Sequence, residues 1–181
     1  MAHLYTIGHS NRPLDLFIGL LNQACVDLVA DVRTIPKSRH NPQFNADMLE
    51  RALREAGIGY KRFPGLGGLR SRGKDQGPSP NGFWDNENFR NYADYAATPS
   101  FKAALDALRA LSQTQTCAIM CAEADWRRCH RRIIADYLLA AGDTVIHIAG
   151  EDRLEPAQLS QAAVMEADGA IAYPAAQGQL L

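Results

Sequence analysis

The alternation of buried strands with amphipathic helices is the feature that most constrains this chain. Two runs, VDLVADV at 26–32 and TCAIMC at 116–121, have the near-continuous apolar character of strands that are buried on both faces. Helical periodicity separates them, most clearly in NADMLERALREAG, where Asn45 precedes the helix and Gly57 ends it, with Met48 in its apolar stripe. This alternation predicts a parallel sheet that is covered by helices on both faces.

The other elements extend the same pattern. Further predicted strands are HLYTIG, IGYKRF and TVIHIAG, and further predicted helices lie in HSNRPLDLFIGLLNQA, at about 86–97, at about 99–112 and in RRCHRRIIADYLLAAG. We therefore expect one α/β domain over residues 1–181, with a mostly parallel sheet of about five strands and helices on both faces.

Two segments depart from this alternation. Residues 63–85 contain six glycines and three prolines and show no periodicity. A loop of this length inside a domain is usually functional, so we expect a flap over a site. Residues 151–181 form a C-terminal extension, in which we expect one more helix and an extended piece around 170–173.

Composition limits the class of protein. The net charge of −1 argues against a general nucleic-acid coat or a membrane-surface protein. No apolar run is long enough to span a bilayer, and MAHLYTIGHS lacks the features of a signal peptide. We therefore expect a cytoplasmic location without a membrane partner, where the four cysteines stay reduced.

Ionisable residues follow the predicted strands at the point where each strand ends. In open parallel sheets, ligands bind beyond these carboxyl ends. The candidate site residues that fall there are His9, Ser10, Arg33, Arg39, Arg70, Cys121, Glu123, Cys129, His130 and Arg131. Their convergence predicts an active or binding site.

The thiol chemistry of this site centres on Cys121. A thiol at a strand end that faces a helix N-terminus and cations can ionise at neutral pH, so we expect Cys121 to be a nucleophile or a redox thiol. His130 or His9 would be the acid–base group, and Glu123 would orient that histidine. The alternatives are that Cys121 packs as a small apolar residue and that Glu123 forms a structural salt bridge.

The arginines indicate an anionic ligand. We expect Arg33, Arg39 and Arg131 to bind a small anionic molecule or a nucleotide, with Arg70 on the flap. Group transfer or hydrolysis fits better than hydride transfer, because the chain lacks a dinucleotide fingerprint. In GLGGLR, the position of the last glycine of the G-x-G-x-x-G pattern is occupied by Arg70. The sequence identifies neither a cofactor nor an oligomeric state.

Two other functions remain open at this point. The basic segment 33–74, together with Trp84, is also compatible with a non-catalytic module that binds nucleic acid or a nucleotide. Cys121, Cys129 and His130 are also compatible with a metal site, although no second Cys/His pair follows them.

Four motifs occur in order along the chain: YTIGHS, DVRTIPKSR, GIGYKRFPGLGG and CAEADWRRCHRRIIADYL. Together they resemble the domain of unknown function 488 family, from Tyr5 to about Ile148. The resemblance implies an α/β fold and no particular reaction. Its motif positions are Gly8, His9, Ser10, Asp31, Arg33, Pro36, Ser38, Arg39, Gly67, Gly68, Cys121, Glu123, Cys129, His130 and Arg131.

Overall fold

In the computed structural model, which describes residues 2–73 and 77–176, a six-stranded sheet separates two layers of helices. The strands are β1 (His3–Gly8), β2 (Leu28–Asp31), β3 (Gly59–Arg62), β4 (Cys117–Cys121), β5 (Thr144–Gly150) and β6 (Arg153–Pro156). The helices are α1 (Leu14–Gln23), α2 (Ala46–Glu55), α3 (Glu87–Ala96), α4 (Pro99–Leu111) and α5 (Arg131–Ala140).

The strand order is β3-β2-β4-β1-β5-β6. The first five strands are parallel, as predicted, and the sixth runs antiparallel to β5. The prediction of an α/β domain with a mostly parallel sheet is therefore confirmed, with one more strand than expected. Strand order could not be predicted, because β1 pairs with β4 and β5 across more than a hundred residues of chain.

Each face of the sheet carries its own hydrophobic core. On β4, Cys117, Ile119 and Cys121 pack with α3, α4 and α5, whereas Ala118 and Met120 pack with α1 and α2. This alternation follows from the two-residue period of a strand. It places the side chain of Cys121 beneath α5.

The position of β4 defines where a ligand can enter. The helices that follow its neighbours, β1 and β2, cover one face, and α5, which follows β4, covers the other. At the carboxyl end of β4, the chain segments that lead into these helices therefore turn toward opposite faces of the sheet. Ligands bind at such a switch point in open α/β sheets. Both cysteines lie there.

The C-terminal extension differs from the prediction. Its described part, residues 151–176, contains β6 and a hairpin of β7 (Val164–Met165) and β8 (Ile171–Ala172), and the predicted helix is absent there. The backbone amides of Ser160 and Ile171 instead bond to side chains of α5, Asp136 at 2.8 Å and Tyr137 at 3.0 Å. β8 agrees with the predicted extended piece.

Two further details concern the helices. Met48, predicted in the apolar stripe of α2, is 49% exposed, and Leu49 and Leu53 form the buried stripe instead.

Among residues 2–73 and 77–176, helices are too short or too polar to cross a membrane.

Candidate functional site

Two buried thiols meet at the carboxyl end of β4. The Sγ atoms of Cys121 and Cys129 lie 2.6 Å apart, and the two residues are 3% and 4% exposed. The predicted helix from Arg127 begins later, at Arg131, because Trp126–Arg128 forms a 3-10 turn and Cys129 is extended. This short turn brings Cys129 back over the end of the strand.

Arg131 is a cation in direct contact with the thiol pair, and it is only 1% exposed. Its Nε donates to Cys129 Sγ at 3.3 Å, its Nη1 to Thr6 Oγ1 at 3.2 Å and its Nη2 to the Glu123 carbonyl at 2.5 Å. Thr6 Oγ1 in turn forms a hydrogen bond with His147 Nδ1 at 2.7 Å. These contacts hold the guanidinium group against one sulfur of the pair.

The two thiols consequently differ in acidity. Burial acts to raise the pKa of both. For Cys129, the hydrogen bond with Cys121, the charge of Arg131 and the hydrogen bond with His130 outweigh burial and lower the pKa well below its usual value. For Cys121, burial and the hydrogen bond with Cys129 raise the pKa well above it. The hydrogen bond from Arg131 Nε reaches Cys129 Sγ, so this contact favours a negative charge on Cys129 over one on Cys121.

His130 lies against the same sulfur. Its Nε2 lies 3.2 Å from the Val32 carbonyl, and because a carbonyl only accepts, Nε2 carries the hydrogen. Nδ1, which is 3.6 Å from Cys129 Sγ, is then free to accept the thiol proton. Gly68 covers the ring, since a Cβ there would lie 2.5 Å from Nδ1.

His9 belongs to the adjoining part of the site. Its Nδ1 donates to the Ser10 carbonyl at 2.8 Å, its Nε2 lies 3.3 Å from Arg33 Nη1, and its ring stacks on Phe44. Burial, with a smaller contribution from the charge of Arg33, lowers the pKa of His9 to about 4. His9 is therefore neutral near pH 7 and an acceptor toward Arg33.

A cleft opens onto the two thiols. We call this cavity of about 300 Å³ the thiol cleft, and its lining residues are Arg33, Thr34, Ile35, Gly68, Leu69, Asn88, Phe89, Cys121, Ala122, Glu123, Arg128, Cys129 and His130. Its lip is apolar, because Ile35 and Leu69 are both more than half exposed.

A second cavity adjoins the thiol cleft and shares Arg33, Ile35 and Ala122 with it. We call this cavity of about 330 Å³ the polar recess, and its other lining residues are His9, Ser10, Asn11, Lys37, Ser38 and Asn41. A larger cavity of about 530 Å³ lies between α4, the end of α5 and the β7–β8 hairpin. It contains none of the predicted site residues, so the two smaller cavities define the candidate site.

Two predicted arginines lie at the site with their guanidinium groups already engaged. Arg33 forms an ion pair with Asp31 at 2.6 Å and donates to the Phe44 carbonyl at 2.7 Å. Asp31 also accepts from Tyr60. Arg131 is engaged as described above. Neither guanidinium group therefore has a pair of unbonded N–H groups with which to bind an anion.

The other predicted polar residues are arranged differently from the expectation. Arg39 is exposed and lines neither cavity. Arg70 stacks on Tyr95 at 3.6 Å and donates to the Gly67 carbonyl, so it fastens the flap to α3. The Glu123 carboxylate is exposed and accepts from the Asp125 amide, so it does not orient a histidine.

Sequence reasoning missed several residues that complete the site. Thr6 and His147, which support Arg131, are register partners on β1 and β5. A threonine and a histidine inside otherwise apolar strands were the available signal. Arg128 and Lys37 are exposed cations on the thiol cleft and the polar recess, and within the described residues neither forms an ion pair.

The flap and Trp84 bear on the binding alternatives. Trp84 is buried and stacks on Phe89, so it anchors the end of the flap and does not present a face to a base. Lys74, which ends the basic segment 33–74, lies outside the described residues.

The donor atoms of Cys121, Cys129 and His130 lie within 4.8 Å of one another, which is compatible with a soft metal ion. The buried charge of Arg131 beside Cys129 opposes a cation at this position. The geometry therefore fits a thiol–thiolate pair better than a metal centre.

The fold and the site define an α/β protein with a paired-cysteine cleft at the switch point of its sheet. Residues 13–138 match the model of the domain of unknown function 488 (DUF488) family, so the chain belongs to that family. This match is shorter than the resemblance seen in the motifs, since β1 and β5 lie outside it. No curated protein and no solved structure is significantly similar to the chain.

Proposed function

We propose that the chain is a thiol-dependent enzyme that catalyses group transfer or hydrolysis on a small anionic molecule or a nucleotide in the cytoplasm. Cys129 is the nucleophile, in place of the Cys121 that the sequence favoured. The observation that carries the proposal is the contact of Arg131 with Cys129 Sγ at the base of the thiol cleft. A buried cation held against one thiol lowers the cost of ionising it.

The substrate occupies the thiol cleft, either alone or together with the polar recess. Its apolar part lies in the thiol cleft, between Ile35 and Leu69, with the reacting atom beside Cys129. Its anionic group lies next to Lys37 in the polar recess or next to Arg128, because these cations have no described counter-ion. Small anions and nucleotides both meet this requirement.

The chemistry follows from the protons of the site. The Cys129 thiolate attacks the electrophilic atom of the substrate, and the bond to the leaving group breaks with its electron pair. Protonated His130 gives its Nδ1 proton to the leaving group. Neutral His130 then removes a proton from water, or from another molecule that accepts the transferred group. The deprotonated molecule displaces that group from the Cys129 sulfur. Cys121 keeps its proton and donates it toward Cys129.

The decisive measurement is the alkylation rate of each cysteine against pH, followed by mass spectrometry. We expect Cys129 to react at neutral pH with an apparent pKa well below the ~8.5 of a free thiol. Cys25 is exposed and serves as the internal reference. If Cys129 is inert until the protein unfolds, the thiol-enzyme proposal is wrong.

A parallel sample treated with a chelator separates the metal alternative. Reactivity of Cys129 that appears only after chelation would assign Cys121, Cys129 and His130 to a metal ion. The proposal predicts the same rate with and without the chelator.

A further inference from the structure

We propose that Cys121 and Cys129 together reduce a small organic hydroperoxide and close into a disulfide in doing so. This activity rests on the proposed function only in using the same nucleophile, Cys129. The hydroperoxide is a substrate class separate from the anionic molecule, and the second thiol, Cys121, becomes a reactant.

The distance between the sulfurs is the first support. Cys121 Sγ and Cys129 Sγ are 2.6 Å apart, and a disulfide bond is ~2.0 Å long, so little movement is needed to join them. Both sulfurs line the thiol cleft. Cys117, on the same strand, is fully buried and does not line it.

The position of Arg131 is the second support. Its Nε donates to Cys129 Sγ, and its Nη1 and Nη2 are bonded to Thr6 and to the Glu123 carbonyl. The two sulfurs are only 2.6 Å apart, so no atom of the guanidinium group lies between them. Arg131 therefore stabilises the attacking thiolate without blocking the approach of Cys121 to the oxidised sulfur.

The shape of the cleft selects the oxidant. The space of about 300 Å³ admits a small molecule, and the low exposure of both thiols excludes a disulfide on the surface of another protein. Ile35, Leu69 and Phe89 give the cleft an apolar lining, which favours an alkyl hydroperoxide over a charged oxidant.

The reaction balances in two steps. The Cys129 thiolate attacks the terminal oxygen of the hydroperoxide, an S–O bond forms, and the O–O bond breaks. The alkoxide leaves and becomes the alcohol by taking from His130 Nδ1 the proton that Cys129 had given up. Cys121 then attacks the Cys129 sulfenic acid, an S–S bond forms, and hydroxide leaves with the Cys121 proton as water. Two thiols are oxidised and one hydroperoxide is reduced. A low-molecular-weight dithiol returns the pair by exchange.

The test uses the full chain and tert-butyl hydroperoxide. One equivalent should remove the mass of two hydrogens from the intact protein, and peptide mapping should find Cys121 linked to Cys129. Dithiothreitol should reverse the change. The variants C121S and C121A should instead accumulate a sulfenic acid on Cys129, trapped by dimedone, with circular dichroism as the check that each has folded.

Two controls sharpen the result. C117S replaces a buried cysteine of the same strand outside the cleft, and it should form the disulfide as the wild type does. C129S should lose both the disulfide and the dimedone adduct.

The outcomes separate the two proposals. A dimedone adduct in C121S without a disulfide in the wild type would overturn the dithiol activity. The same result would still support Cys129 as the nucleophile. Absence of both products, together with an inert Cys129 in the alkylation measurement, would overturn both proposals. A Cys129 that alkylates readily but reacts with hydroperoxide no faster than Cys25 would overturn the dithiol activity alone.

Discussion

At the scale of single residues, the site depends on which groups touch Cys129. Arg131 and His130 contact its sulfur, at 3.3 Å and 3.6 Å, whereas the Glu123 carboxylate does not. Only the backbone carbonyl of Glu123 takes part, as an acceptor for Arg131. Substitutions at His130 and Glu123 should therefore have different effects, although both residues belong to the same family motif.

We expect H130Q to lower the alkylation rate of Cys129 at pH 7 by about tenfold or more. Glutamine keeps a donor for the Val32 carbonyl but offers no base for the thiol proton. The matched variant E123Q should leave the rate unchanged, because it alters only the exposed carboxylate. Iodoacetamide kinetics resolved by peptide mass spectrometry measure both. Equal losses in the two variants would contradict this assignment.

At the scale of elements, the flap is packed against the site by its glycines. A Cβ on Gly67 would lie 2.7 Å from Thr34 Oγ1, and one on Gly68 would lie 2.5 Å from His130 Nδ1. The sequence predicted a flap from the glycine and proline content of 63–85. It could not predict this contact, because the flap and His130 are far apart along the chain.

We expect G68A to displace the His130 ring and to slow alkylation of Cys129 about as much as H130Q does. Overpacking of this kind typically costs about 1–3 kcal/mol of stability. G77A is the control in the same loop, since a Cβ on Gly77 would meet nothing within 4 Å. Alkylation kinetics and urea unfolding should find G77A indistinguishable from the wild type. Normal Cys129 reactivity in a folded G68A would show that the ring position is unimportant.

The strand ends were predictable to different degrees. His9 was expected beside Cys121, and its amide does bond to the Cys121 carbonyl at 2.9 Å, because parallel strands share one carboxyl edge. The pairing of Arg33 with Asp31, and not with an open anion site, is supported by the Phe44 carbonyl and the Tyr60 hydroxyl, which reach the pair from other parts of the chain. The same holds for our proposal that Cys129 is the thiolate, because it rests on the position of Arg131.

At the scale of the whole molecule, two buried histidines couple stability to pH. Burial, aided by Arg33 at His9 and by Arg131 at His147, lowers both pKa values from 6.5 to about 4. Between these pH values the unfolded chain binds protons that the folded chain does not. Stability contributed by the neutral histidines is therefore present above pH 6.5 and is lost as the pH falls toward 4.

We expect the free energy of unfolding to fall by about 3 kcal/mol per histidine between pH 7 and pH 4, beyond any change from carboxylates. Urea unfolding across this range measures it. H147Q should reduce the slope of this free energy against pH by the equivalent of one proton. An unchanged slope in H147Q would mean that His147 titrates alike in both states.

The strand order also has a kinetic consequence. Within the described residues β1 pairs with β4 and β5, so it has no neighbouring strand until Leu4 is paired with Cys117 or with Val145. Pairings of such long range form late in folding. Arg131 is held against Cys129 by Thr6, which lies on that same strand. We therefore expect the support of Arg131 beside Cys129 to be complete only after β1 has joined the sheet, so that the proposed activation of this thiol would come late in folding.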